Sequence, residues 1–154
     1  MGMFFFGNGL LAQEDPPKEV EPPPPWKVLP IGPNAMSNFD FKTKTTTYSG
    51  RYRVLYHPGQ PDAAEMTSDS GTFKHESKHI TATGNVVLRR DGNIWKAERM
   101  EYNFSTRNIT SAQFRTGNLE FFMQGENLTG NATNKIYTAK NATFTTDDVA
   151  KPTL

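Results

Sequence analysis

Between Phe39 and Phe144 the chain alternates apolar and polar residues at a period of two. Tyr52, Val54 and Tyr56 form one such run, Ile80, Ala82, Val86 and Leu88 a second, and Leu119, Phe121 and Met123 a third. Period-two alternation predicts strands with one face buried and one in water. Thr, Asn and Gly-Asn pairs punctuate the runs, and Arg89-Arg90-Asp91-Gly92-Asn93 predicts a hairpin connection from Leu88 to Ile94. Asp-Gly supplies the positive φ that such a tight turn needs. No long window carries an amphipathic helical stripe, so the fold class is all β.

The runs repeat. Gly50, Gly84 and Gly117 each open an alternating stretch, at spacings of 34 and 33 residues. Ala64-Glu65, Ala97-Glu98 and Gly125-Glu126 follow, and Ile80, Ile109 and Ile136 each open a further apolar run. The third pass lacks the hairpin loop, since Phe121-Phe122-Met123-Gln124 leads straight into Gly125-Glu126. Repeats of about 30 residues are supersecondary units too small to bury their own apolar face, so three of them are expected to stack. Function is then expected along an extended surface or groove and not at one catalytic pocket.

The 154 residues allow one domain with tails. Residues 1–13 read as an apolar segment with the core and small-residue end of a secretory signal but no basic n-region. Residues 14–38 are Pro-dense and read as a semi-rigid linker. The β domain is placed at 39–148, and 149–154 is a tail. A net charge of +1 gives no case for nucleic acid. The absence of Cys excludes disulfides, zinc-thiolate sites and cysteine catalysis. Hydrophobic residues are only 35% of the chain, but 11 Phe and 5 Tyr make the apolar surface bulky, so a modest, one-sided core is expected.

The second pass reads Gly84-Asn85-Val86-Val87-Leu88, Ala97-Glu98, Met100-Glu101-Tyr102-Asn103, Ser105-Thr106, Ile109. This phrase resembles the OstA-like domain of the lipopolysaccharide-transport (Lpt) proteins, the fold of LptA and of the N-terminal region of LptD. The resemblance covers about Gly50 to Thr146. Ala142 to Asp148 also looks like the join to the LptD barrel, although Asp147 stands where that family often has a Cys. A free-standing LptA-like protein, or a stand-alone relative, is the expectation.

The resemblance implies a twisted, partly open β-jellyroll, a β-taco, in the periplasm, where association with the outer membrane is a further expectation. Its interior would hold the acyl chains of lipopolysaccharide, and its strand edges would pair with other Lpt-type proteins or with a second copy. The groove is assigned to Ile80, Val86, Leu88, Met100, Tyr102, Ile109, Ala112, Phe114, Leu119, Phe121, Met123, Ile136, Ala139 and Phe144. No catalytic set, metal or cofactor is assigned, and a non-enzymatic carrier is expected. An apolar groove binds chains by burial, at roughly 0.8 kcal/mol per CH₂.

Other motifs compete. His75-Glu76-Ser77-Lys78-His79 matches the His-Glu-x-x-His pattern of zinc metalloproteases, with Glu98 or Glu101 as conceivable third ligands. That chemistry needs a helix, which puts both imidazoles on one face, and the flanks here are strand-like. Sequons at Asn103, Asn108, Asn127, Asn131 and Asn141 read as turn and strand composition. The recurring Glu65, Glu98 and Glu126 read as edge or turn residues, and Trp95 as packing. Arg89, Arg90, Lys96 and Arg99 form a basic patch that could meet lipid phosphates. A structural β-solenoid or adhesin-like module with a dry interior is the alternative from another class.

Overall fold

The computed structural model describes residues 2, 16–17, 24–118 and 122–146. Within them lie nine strands and no helix: β1 (Trp26–Pro30), β2 (Met36–Asp40), β3 (Thr45–Tyr56), β4 (Ala64–Lys74), β5 (His79–Arg90), β6 (Asn93–Asn103), β7 (Asn108–Gly117), β8 (Phe122–Asn131) and β9 (Ile136–Thr145). All pair antiparallel in one sheet of order β1-β3-β4-β5-β6-β7-β8-β9, with β2 also on β3. The fold is all β, as the alternation predicts. The apolar N-terminal segment and the C-terminal tail fall outside the described residues.

The long strands cannot be straight. Trp26 pairs with Tyr56 at one end of β3, whereas Phe73 pairs with Thr46 near the other end. A straight strand would separate Thr46 from Tyr56 by about 33 Å. Yet the Trp26 and Phe73 rings lie 5.8 Å apart, and Tyr56 stacks on Phe104 at 5.4 Å. The sheet is therefore folded over on itself along one crease that crosses every long strand. One leaf carries Thr45–Ser49, Ser70–Lys74 and His79–Thr83, and the other carries Tyr52–Tyr56, Ala64–Thr67 and Val86–Arg90. Their inner faces make the core.

The crease is built from bulges. Pairing shifts between Ser49 and Tyr52, Thr67 and Ser70, Thr83 and Val86, and Glu126 and Thr129. Gly50-Arg51 and Gly84-Asn85 sit there with positive φ, as do Asn127 and Asn141. Such bulges bend a strand and increase its local twist. Asp69 braces the crease: its carboxylate accepts from Asn85 Nδ2 at 2.9 Å and from Arg51 Nη1 at 3.2 Å. Further along, Asn141 Nδ2 donates to Glu126 Oε2 at 3.2 Å. Gly117 does not repeat the role of Gly50 and Gly84, because it ends β7 opposite Ile94 and Phe122.

The turns between strands repeat as well. Asp40, Asn103 and Asn131 each accept two backbone N–H bonds from the turn that follows, from Lys42 and Thr43, Ser105 and Thr106, and Thr133 and Asn134. This Asx geometry closes the turn locally. The predicted Asp91-Gly92 hairpin is present, with φ of 52° and 76°. β1 and the start of β2 lie inside the stretch read as linker. Proline tolerates that place because β1 is an edge strand, where a missing N–H breaks no central ladder.

Gly84→Ala tests the crease. An added Cβ would sit 2.7 Å from Asp69 Oδ2 and 2.8 Å from Asp69 Cβ, at φ +81°. The substitution is expected to cost about 2–3 kcal/mol. Gly92→Ala has positive φ but nothing within 4 Å, so about 1 kcal/mol is expected. Denaturant unfolding of the two variants gives the comparison, and equal losses would remove the crease from the account.

Candidate functional site

The space between the leaves gathers Ile80, Val86, Leu88, Met100, Tyr102, Ile109, Phe114 and Met123 of the assigned set into one buried cluster. Phe73, Phe104, Met66, Tyr48 and Leu128, which the alternation did not single out, are buried with them. Ala139 packs at the margin. Phe144 pairs with Met123 and so shares the inner face, but it is 67% exposed. Two assigned residues lie elsewhere. Ala112 is exposed and lines a cavity of about 320 Å³ with Arg99, Glu101 and Thr129 on the outer side of the crease. Ile136 is exposed, because its neighbour Tyr137 takes the inward position. Leu119 and Phe121 fall outside the described residues.

The β1/β2 end of the interior is shut by a clasp. Trp26 Nε1, on one leaf, donates to His75 Nδ1 at 2.7 Å. His75 Nδ1 is then the unprotonated nitrogen, so Nε2–H donates to Thr46 Oγ1 at 2.6 Å. The Trp26, Phe39 and Phe73 rings surround the imidazole at 5.5, 5.3 and 4.8 Å. Burial pushes the His75 pKa down. His75-Glu76-Ser77-Lys78 thus forms the β4–β5 turn and His79 opens β5, with no helix there. Both nitrogens of His75 are engaged, Glu76 pairs with Lys44 at 2.9 Å, and no metal-holding cluster of acidic and His residues occurs among the described residues.

Opposite the crease, the lips of the leaves are latched only in part. Arg90, at the end of β5, turns inward, while Arg89, Lys96 and Arg99 face solvent; the predicted basic patch is split between two faces. Arg90 Nη1 reaches the other leaf and donates to Tyr102 Oη at 2.8 Å and to the Phe104 carbonyl at 2.9 Å. Asp91 and Arg107 form an ion pair across the same lips at 3.1 Å. Beyond them a cleft of about 60 Å³ opens between Leu88, Arg90, Trp95 and Tyr102 and the β8–β9 turn with Lys135 and Tyr137. Burial pushes the Tyr102 and Tyr137 pKa values up. Trp95 packs on Tyr137 at 4.8 Å and on Phe114 at 6.2 Å, the packing role expected of it.

The folded sheet and its apolar interior can be set beside known proteins. The model of the LptA/(LptD N-terminal domain) LPS transport protein family matches residues 65–152. The chain belongs to this family of transport proteins. Among solved structures it is similar to LptH, the LptA homologous periplasmic component of the lipopolysaccharide transport device of Pseudomonas aeruginosa. The two share 16% identity with a TM-score of 0.59, over 75% of this chain and 81% of that one. At that identity the likeness is one of fold. No curated protein matches the sequence.

The clasp sets a pH dependence. His75 has a lower pKa folded than unfolded, so the unfolded chain binds more protons as pH falls through the ordinary value of 6.5. Its stabilisation is complete above that pH and is lost progressively below it. Thermal unfolding midpoints are expected to fall between pH 7.5 and 5 in the native chain and to fall less in His75→Gln. Identical slopes in the two proteins would show that the clasp does not titrate.

Proposed function

We propose that the chain is a periplasmic lipopolysaccharide carrier that holds acyl chains between the two leaves and makes or breaks no bond. The observation that carries this reading is the asymmetry of the interior. At the β1/β2 end the leaves are shut by Trp26 and His75. At the β9 end the inner face continues through Tyr137, Ala139 and Ala142, which are half-buried, to Phe144 in solvent. An apolar inner face left uncovered at one end extends a core that is otherwise closed, and acyl chains would complete it by burial. Family membership supports lipopolysaccharide as the cargo.

The strand edges support a partner. β9 is last in the order, so among the described residues the outer edge of its stretch from Ile136 to Phe144 has no neighbouring strand. An unpaired edge of this kind is suited to strand addition by another Lpt-type protein or a second copy.

Phe144 provides the test. A photo-crosslinking residue at position 144 is expected to label purified lipopolysaccharide, whereas one at Thr110, on the outer face, is not. Phe144→Asp is expected to weaken lipopolysaccharide binding about tenfold or more, since a buried Phe contributes roughly 1.5–3 kcal/mol. Its unfolding midpoint should hardly move, because Phe144 is already exposed. Equal labelling at both positions would leave the dry solenoid as the better account.

A further inference from the structure

Arg90 is 7% exposed yet has no carboxylate within ion-pair distance among the described residues. A buried charge is costly unless it is paired. Both hydrogens of Nη1 are used, on Tyr102 Oη and the Phe104 carbonyl. Nε is buried without a partner, and no described group bonds Nη2. The Nε–Nη2 edge is the fork with which a guanidinium takes an oxyanion through two parallel bonds. The guanidinium carbon also lies over the Tyr56 ring, 5.7 Å from its centre.

The surroundings have the matching charge and size. Arg90 lines the 60 Å³ cleft together with Lys135, whose ammonium has no ion pair among the described residues. At about 10–15 Å³ per water-sized group, the cleft takes four to six such groups, close to one phosphate or carboxylate. Asp91 also lines it, but that carboxylate is neutralised by Arg107. Asp62 lies near Arg90 and is held by His57 at 2.7 Å.

Lys135 is also strained. Lys44, Lys78, Arg107 and Lys135 close four successive turns on one lip, each with positive φ, between 48° and 64°. Gly or Asn would serve such positions at lower cost. Lys44 and Arg107 are ion-paired with Glu76 and Asp91, so Lys78 and Lys135 are the basic residues of this series without an ion pair among the described residues, and a strained conformation at recurrent positions points to function.

We infer that Arg90 and Lys135 form an oxyanion site at the lips of the interior, which takes the phosphate or carboxylate head of an amphiphile whose chains lie between the leaves. The lipid source rests on the carrier reading above; the anion site itself does not. Arg90 would supply the two-pronged contact, and Lys135 a mobile charge at the rim. Leu88, Ile109 and Trp95 continue from the cleft toward the apolar core, so head and chain would bind side by side.

Calorimetric titration of the full chain with three probes tests this, each below its critical micelle concentration where one applies: dodecyl phosphate, dodecyl maltoside and inorganic phosphate. Arg90→Gln is expected to weaken dodecyl phosphate about tenfold or more and Lys135→Gln about threefold, with dodecyl maltoside unchanged by either. Arg89→Gln, on the outer face, should behave as native. Lys135→Gln alters an exposed turn and keeps the test valid if Arg90→Gln does not fold. Arg90-dependent competition by inorganic phosphate would assign the site to the free anion, and absence of competition to a lipid head; both keep the site. Failure of dodecyl maltoside to bind, with phosphate still dependent on Arg90, would sink the carrier reading alone. Native affinity for dodecyl phosphate in both variants, or an equal loss in Arg89→Gln, would overturn the proposal.

Discussion

The crease is the constraint on which the rest of this structure depends. A single antiparallel sheet has two faces, and a one-sided core stays wet on its open face unless something covers it. Here the sheet covers itself. Each long strand contributes a segment to both leaves, so all must bend at the same level, and a bend displaced in one strand would tear the ladder on both sides. The polar residues at the bend, Asp69 with Asn85 and Glu126 with Asn141, join neighbouring strands at that level. Their contribution is one of alignment, because exposed polar pairs add little stability alone.

The bend also explains what the sequence could and could not reveal. In β3 and β5 the inward positions keep even spacing through the crease, from Tyr48 to Tyr52 and from Ala82 to Val86, with Gly50 and Gly84 between. Simple alternation therefore reads both strands correctly. In β7 the inward residues are Ser111 and then Phe114, three apart, so the parity slips by one. Reading back from Phe114 at a period of two lands on Ala112, which faces out. The same slip conceals Leu128 in β8, and in β9 the inward set begins at Tyr137 instead of Ile136. In β7 the slip comes with no change of register against β6 or β8, so neither a glycine nor a shifted pairing marks it, and a slip of one residue moves the positions beyond it to the other face.

Other features were hidden because they depend on contacts between leaves. Arg90 follows Val86 and Leu88 at a period of two and so falls on the inward face of β5, but its charge argues for solvent, and only the fold supplies the contacts from the other leaf that hold it inside. His75 shows the reverse. Its motif is conspicuous in the sequence, but the hairpin gives both ring nitrogens to a structural clasp with Trp26, from a segment whose prolines suggested a spacer. A five-residue pattern carries catalytic meaning only through the backbone that presents it, and a strand end presents the two imidazoles differently from a helix.

The two ends of the folded sheet divide the work. Aromatic rings and the His75 bonds tie the two leaves together at the β1/β2 end, so leaf separation is set there. Toward β9 the inner face becomes smaller in side-chain bulk, with Gly125, Gly130, Ala139 and Ala142 in place of the Phe and Tyr of the closed end. Phe114 and Tyr137 lie over Gly125 and Gly130, whereas Phe144, at the limit of this face, stands uncovered. Between the two ends lies Arg90, where the latched lips give way to the cleft. A buried guanidinium is a poor choice for a core that is meant to stay empty of ligand, since desolvation opposes it and an aliphatic residue would pack as well. At the boundary between a sealed and an accessible interior its cost is offset if an anion arrives there, because apolar lining and positive charge without an ion pair among the described residues meet in this cleft.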